Sequence, residues 1–445
     1  MKKFSCILLT ALLVSSTAFS SDFFSKHFEN ATLRLDYIFS GNDTSQHISF
    51  MQAYKTNIWA GRRTNLQKPL LAGNGQICVK DAASGEVLYT NSFSTLFQEW
   101  QNTEEATKVT RGFENCFQVP WPKKPVIITV TLTDKYQQIS ASLSHPIDPE
   151  DILIRPLKSK SSYRQIHGGG NYDSRIDVAV IGDGYSARDQ QKFHSDALRA
   201  VTAIMSHEPF KGMENRFNFI AVSSISRDSG VSIPHADKWK DTSFSSHYDT
   251  FYSKRYLTTS SMRTLYNQLA AIPFEHIIVL ANTGEYGGGG IYNSLVIASS
   301  DHPTFEVVLV HEFGHGFGGL ADEYYYDDEY SLMYPSGVEP WEPNITTLTD
   351  FGSKWKDMLS PGTFIPTPPD SIERNNDVRR IWNTLSKEEK ESLNNKIGVY
   401  EGGGYQSKGV FRPVQECRMK INECENFCPV CSRAIVRMVD YYTGK

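Results

Sequence analysis

The stretch VVLVHEFGH, residues 307–315, decides how the chain is read. His311 and His315 lie four residues apart behind an apolar run, with Glu312 between them. On a helix, positions i and i+4 share a face, so both imidazoles can offer a ring nitrogen to one metal ion. Glu312 stands beside them, placed to take a proton from water activated by that ion. The chemistry implied is amide hydrolysis with Zn²⁺ as cofactor, His311 and His315 as ligands and Glu312 as the catalytic base. A helix is supported locally, because Phe305, Val308 and Leu309 recur at helical spacing and Thr304 follows Pro303 in the N-cap position.

After His315 the chain reads GFGGLADEYYY, residues 316–326. Gly318 and Gly319 can end the helix and allow a sharp left-handed turn, which carries the segment from Leu320 to Glu323 back toward the metal. A helix with two histidines that stops at glycine and is followed by a third ligand resembles the metzincin layout. The pattern HExxHxxGxxH would put that ligand at Ala321, which cannot bind a metal. Asp322 is therefore assigned as the third ligand, its short side chain suiting a site close to the helix end, with Glu323 as the alternative. The non-functional reading of the pair is a solvated acidic turn continuing into Asp327, Asp328 and Glu329.

HEFGHGFGGLADEYYY, taken with YGGGGIYN at 286–293, EPWEPNIT at 339–346, KGVFRPVQECRMKINE from residue 408 and FCPVC at 427–431, resembles the IgA-peptidase family of zinc metallopeptidases. The resemblance covers most of the chain beyond about residue 165. It implies a metzincin-like zinc peptidase domain of α/β (α+β) class behind a β-rich N-terminal domain. The family name points to immunoglobulin A; that specificity is not carried over.

Composition fits an exported enzyme. Met1-Lys2-Lys3, an apolar core over 7–14 and small residues to Ser20 read as a cleaved signal peptide over 1–20. The core is too short to span a bilayer, and no later stretch is long and apolar enough to do so. Cys6 lacks a small-residue approach, which argues against lipid modification. The expected location is periplasmic, cell-surface or extracellular. The net charge is −5 with neither sign clustered, so no nucleic acid or anionic membrane surface is implied as partner.

Beyond residue 20, two domains are expected, 21–165 and 166–445. Short β-branched or aromatic runs at 31–39, 76–80, 87–90, 113–119 and 126–132 read as an all-β, sandwich-like domain. Cys78 and Cys116 fall in two of those runs and could cross-link them in an oxidising compartment; the alternative is two buried thiols. The glycines at 168–170 mark the boundary. The catalytic domain then alternates strands at 176–181, 217–223, 276–281 and 295–298 with a helix from Ser186 to about residue 205, which places the motif helix beneath a largely parallel sheet. Gly182-Asp183-Gly184 lacks the lysine and third glycine of a phosphate loop and reads as a strand-to-helix turn. Gly287 to Gly290 offers bare backbone that an extended peptide could approach, or else a flexible connection.

Metzincins carry a methionine turn under the metal, immediately before the last helix. Met419, preceding an apolar helix over 431–442, is preferred to Met333 for that role. Cys417, Cys424, Cys428 and Cys431 would read as a structural zinc or redox group in a cytosolic protein; behind a signal sequence, disulfides tying that turn to the last helix are expected. Tyr334 and Tyr405 are both candidates for the oxyanion donor. His235, His247 and His302 are expected on loops. The function expected is a secreted zinc-dependent metallopeptidase acting on proteins or glycoproteins. The alternatives are a catalytically silent glycan- or glycoprotein-binding protein, against which the intact His311, Glu312 and His315 argue, and a zinc hydrolase of non-peptide amides, which usually draws its ligands from separate loops.

Overall fold

The structure, a computed structural model, describes residues 23–158, 161–170, 172–326, 333–375 and 377–445. The expected signal peptide, the acidic run from Asp327 to Glu329 and the two residues before Met333 lie outside these.

Two four-stranded sheets build the N-terminal region. One contains β1 (Phe28–Gly41), β2 (Gln46–Thr56) and β5 (Arg111–Pro122) with the short β8 (Arg155–Pro156); the other contains β3 (Gly75–Asp81), β4 (Val87–Phe93), β6 (Val126–Thr133) and β7 (Ile139–Ile147). Strand β6 shows the expected period of two, with Val126, Ile128, Val130 and Leu132 buried against Leu33, Leu35, Tyr37 and Phe39 of β1. Strands β2 and β7 have no counterpart in the sequence reading. Strand β2 lacks an alternating signal, with Phe50 and Met51 adjacent and exposed, whereas β7 does alternate through Ile139, Ala141, Leu143 and Ile147, a period of two that the serines between these positions mask.

Strand β1 is buried on both faces, because its even positions meet the second domain. There Arg34 forms a bidentate pair with Asp36, at 2.7 and 2.8 Å, and donates to Asn267 Oδ1 at 2.8 Å. Cys116 lies beside that guanidinium, whereas Cys78 belongs to the other sheet and is approached by the Thr90 hydroxyl at 3.6 Å. Of the two readings open for this pair, a cross-link or two thiols, the structure has the second: both are free, on separate sheets with separate partners, Cys116 buried and Cys78 half-buried.

A six-stranded sheet, in the order β13-β14-β12-β10-β11-β9, organises the rest. Its inner strands β10 (Ile176–Asp183), β11 (Phe217–Val222), β12 (His276–Ala281) and β14 (Leu295–Ser299) are parallel, and β9 (Tyr163–His167) and β13 (Gly288–Ile291) close the edges antiparallel. The parallel strands are continuous apolar runs because both faces are covered. Ile176, Val178 and Val180 meet the helix Gln190–Met205, the motif helix Phe305–Gly316 and the C-terminal helix Pro429–Thr443. Ala179 and Ile181 meet Leu257, Leu265 and Leu269 on the opposite face. A capping box of Ser186 and Asp189 opens the first helix. Thr304 does not cap the motif helix; its hydroxyl is engaged with His302 Nδ1 at 2.8 Å instead.

Gly182 and Asp183 end β10, the chain turns at Gly184 with a φ of 75°, and Asp183 anchors a loop. The Asp183 carboxylate accepts from the backbone N–H groups of Phe244 and Ser246 at 3.1 and 2.9 Å.

The four-glycine run is not a loose connection. It forms β13, whose outer side is bridged at Gly288 by Tyr256. A Cβ at Gly288 would lie 2.7 Å from Glu312 Oε1, one at Gly290 2.4 Å from the Glu312 carbonyl, and one at Gly289 2.8 Å from the Leu257 carbonyl. Both faces of the strand therefore need glycine, because the motif helix presses on one side and the segment around Leu257 on the other. Gly290→Ala is expected to destabilise the fold by about 1–3 kcal/mol, the usual cost of overpacking. Gly284→Ala, whose Cβ meets nothing within 4 Å, should be neutral. Denaturant melts of the two variants compare them directly, and equal midpoints would contradict close packing at β13.

Candidate metal centre

The motif helix seats its apolar face in the core through Phe305, Leu309 and Phe313, which leaves His311, Glu312 and His315 toward a cleft. It stops at Gly316, and Gly319 takes a left-handed φ of 63°. The Gly319 N–H then reaches the His315 carbonyl at 3.0 Å and the Leu320 N–H the Gly314 carbonyl at 3.1 Å. This reversal folds the next residues back along the helix. The Leu320 carbonyl accepts from His315 Nδ1 at 2.6 Å, and the Arg418 carbonyl accepts from His311 Nδ1 at 2.9 Å. With each Nδ1 proton committed to a carbonyl, each Nε2 presents a lone pair.

Those two Nε2 atoms are 3.0 Å apart, and Asp322 Oδ1 lies 3.0 Å from one and 3.2 Å from the other. Asp322 Oδ1 is buried with no hydrogen-bond donor aligned on it. Three acceptor atoms therefore converge, an arrangement that repels unless a cation lies among them. A tetrahedral ion with bonds of about 2.0–2.1 Å sets edges of roughly 3.3 Å between N and O ligands, close to those seen. The set fits a divalent metal.

Without a metal, protons on the imidazoles take the cation's place: burial pushes the Asp322 carboxyl up, but the charges of His315 and His311 overcome it and hold the group well below the carboxylate range. His315 shows the converse: burial opposes its charge, Asp322 more than compensates, and it is raised to about 9. Glu312 is pushed up by burial, against the pull of both imidazoles. Its carboxylate lies within 4.8 Å of both ring nitrogens.

The other candidates separate. Glu323 faces away from the imidazoles, its Oε1 accepting from Asn344 Nδ2 at 3.0 Å. Met419 lies under the motif helix, where a Cβ on Gly314 would come 2.8 Å from its sulfur, whereas Met333 lines the cleft. Tyr334 donates to Glu342 at 3.0 Å and Tyr405 donates to Asp322 Oδ2, so both hydroxyls are committed to carboxylates. Tyr405 has a φ of 66°, a conformation that a bulky side chain adopts only where its surroundings impose it. His235 pairs with Asp249, and His302 stacks edge-on to Tyr286 at 5.2 Å between ring centres. The expected disulfides of the C-terminal cysteines are corrected too: Cys417, Cys424, Cys428 and Cys431 are all free, and Cys424 stands apart with its sulfur on the Asn426 carbonyl at 3.5 Å.

The cleft in front of Glu312 measures about 1550 Å³ and is walled by both domains. Sequence reasoning missed three of its residues. Glu99, from the short helix Leu96–Trp100 of the N-terminal domain, accepts from the Tyr256 hydroxyl, and Arg255 reaches the Tyr326 hydroxyl. No local motif marks them, since the signal is spatial and crosses domains. Burial pushes Glu99 up from 4.5 to about 7, against the Tyr256 hydrogen bond and the His315 charge. A carboxyl with a raised folded value keeps its proton where the unfolded chain has released it, so stability falls as pH rises between about 4.5 and 7. A metal ion would pull Glu99 down, so the test uses chelated protein. Across this interval wild type is expected to lose thermal stability relative to Glu99→Gln, which cannot ionise; parallel pH profiles would refute the placement.

Two family models match the chain, IgA Peptidase M64 over residues 165–439 and Peptidase M64 N-terminus over residues 23–144. No curated protein matches it. The first match alone spans more than half of the 445 residues and contains His311, Glu312, His315 and Asp322. The chain therefore belongs to the IgA peptidase M64 family, a family of peptidases in which a metal cofactor is implied.

Proposed function

We propose that the protein is an exported zinc metalloendopeptidase with a metzincin-like catalytic domain, in which His311, His315 and Asp322 hold Zn²⁺, Glu312 is the general base and Met419 forms the turn beneath the site. The assignment rests on one observation above the others, the triangle of two Nε2 atoms and Asp322 Oδ1 with both Nδ1 protons tied to carbonyls. Zinc bound there would acidify water and polarise a peptide carbonyl.

The chain's own residues supply the rest. Glu312 takes the proton of the attacking water and returns it to the leaving nitrogen, and its burial raises its proton affinity toward what both transfers require. Tyr405 fixes Asp322 through Oδ2, so it acts as a positioning residue and not as the free oxyanion donor the sequence allowed. The cleft between the domains takes an extended polypeptide of a protein or glycoprotein substrate.

Glu312→Ala is expected to keep its zinc and its melting temperature while cleavage of a peptide library falls by about 10² to 10⁴-fold, the usual share of general acid–base catalysis. Asp322→Ala should lose both metal and activity. Elemental analysis and mass spectrometry of the digests read these outcomes. A Glu312→Ala enzyme cleaving near the wild-type rate would refute the base assignment, and zinc-replete wild type that cleaves nothing across many sequences would refute the peptidase.

A further inference from the structure

A second group of metal-type ligands lies behind the first. Glu323 Oε1 and the sulfurs of Cys417, Cys428 and Cys431 all lie within 4.8 Å of one another, and all four residues are fully buried. Cys417 and Cys431 sulfurs are 3.9 Å apart, and Cys431 Sγ is 3.1 Å from Glu323 Oε1. Two backbone N–H groups point at sulfur, Cys428 N–H at Cys417 Sγ (3.2 Å) and Cys431 N–H at Cys428 Sγ (3.4 Å). Amide donors aimed at sulfur favour thiolate over thiol, and Cys428 sits at the N-cap of the C-terminal helix, where negative charge is also favoured. Glu323 Oε2 is buried without a hydrogen-bond partner.

We propose that Glu323, Cys417, Cys428 and Cys431 bind a second divalent metal ion of the zinc class, in a closed, four-coordinate, structural site. A disulfide accounts for the group less well. It would consume two sulfurs and leave the third without a partner beside the Glu323 carboxylate, while Cys424 is engaged elsewhere with Asn394 and Asn426. A tetrahedral zinc with bonds of about 2.3 Å to sulfur separates its sulfurs by roughly 3.8 Å, which is the spacing of Cys417 and Cys431. It uses all four donors. Three thiolates and one carboxylate carry the same formal charge as a four-cysteine site, and thiolate donors select zinc over calcium or magnesium.

The site also has a task. Glu323 follows Asp322 directly, and its N–H donates to the Met419 carbonyl at 2.8 Å. Cys417 begins the turn whose Arg418 carbonyl orients His311. The second ion therefore clamps the two segments that deliver Asp322 and the Arg418 carbonyl to the first centre, by fixing Glu323 on one and Cys417 on the other.

The test uses the full chain purified under reducing conditions. Wild type is expected to hold two zinc ions per chain, His311→Ala/His315→Ala one, and Cys431→Ser one. Should Cys431→Ser fail to fold, the cobalt-substituted His311→Ala/His315→Ala protein decides without touching the cluster, because thiolate ligation gives an intense sulfur-to-cobalt charge-transfer band in the near ultraviolet. A His311→Ala/His315→Ala protein that holds no zinc and lacks that band overturns the proposal and leaves the first centre standing. Zinc content unchanged by removing the histidines, with the band present, supports it and refutes the first centre instead. A disulfide between any two of Cys417, Cys428 and Cys431, found by peptide mapping of protein isolated without reductant, also overturns it.

Discussion

The chain reversal after Gly316 is the constraint on which the site depends. It costs a left-handed turn at Gly319, and a single short path then does two jobs: the Leu320 carbonyl fixes the ring of His315, and Asp322 arrives against both imidazoles. Had the chain left the helix in any other direction, the two histidines would lack their third partner and His315 the carbonyl that sets its tautomer. The space for this return is narrow, since a Cβ at Gly319 would come 2.5 Å from Leu71 of the N-terminal domain.

Much of this was legible in the sequence. The i, i+4 histidines, the apolar face and the paired glycines each have a local physical meaning, and they describe the same helix end. The choice between Asp322 and Glu323 was not legible to the same degree. Asp322 and Tyr324 pair their carbonyls with the N–H groups of Gly404 and Tyr405, so this segment runs extended and consecutive side chains fall to opposite sides. Spacing from the helix gives the distance to the metal but not the parity, and side-chain length supplied only a weak argument for the shorter acid.

The cysteines show the same limit in another form. Their crowding at 417–431 was plain, but which three converge depends on where the last helix starts, at Pro429, and on a carboxylate nearly a hundred residues earlier. Glu99 lay further out of reach. It sits in a domain with no ligand cluster of its own, and only the docking of that domain brings it beside Tyr256. Strand β2 was missed because it has no apolar alternation; β7 has one, at Ile139, Ala141, Leu143 and Ile147, but its serine-rich outer face masked it.

The buried pair of Arg34 and Asp36 sets a mechanical property of the enzyme. It is 1% and 0% exposed and is tied across the domain boundary to Asn267, while on the cleft side the Ser94 N–H donates to the Tyr292 carbonyl at 3.0 Å. Rotating one domain against the other would leave that pair together but strip it of Asn267 and Arg263 and break a backbone bond at the far end, and a buried donor left without its acceptor costs about 1–3 kcal/mol. These contacts resist rotation of one lobe against the other. On the proposed peptidase reading, a groove held at this width admits a loose or locally unfolded strand of its target, so accessibility in the target, more than closure of the enzyme, selects where the cut falls.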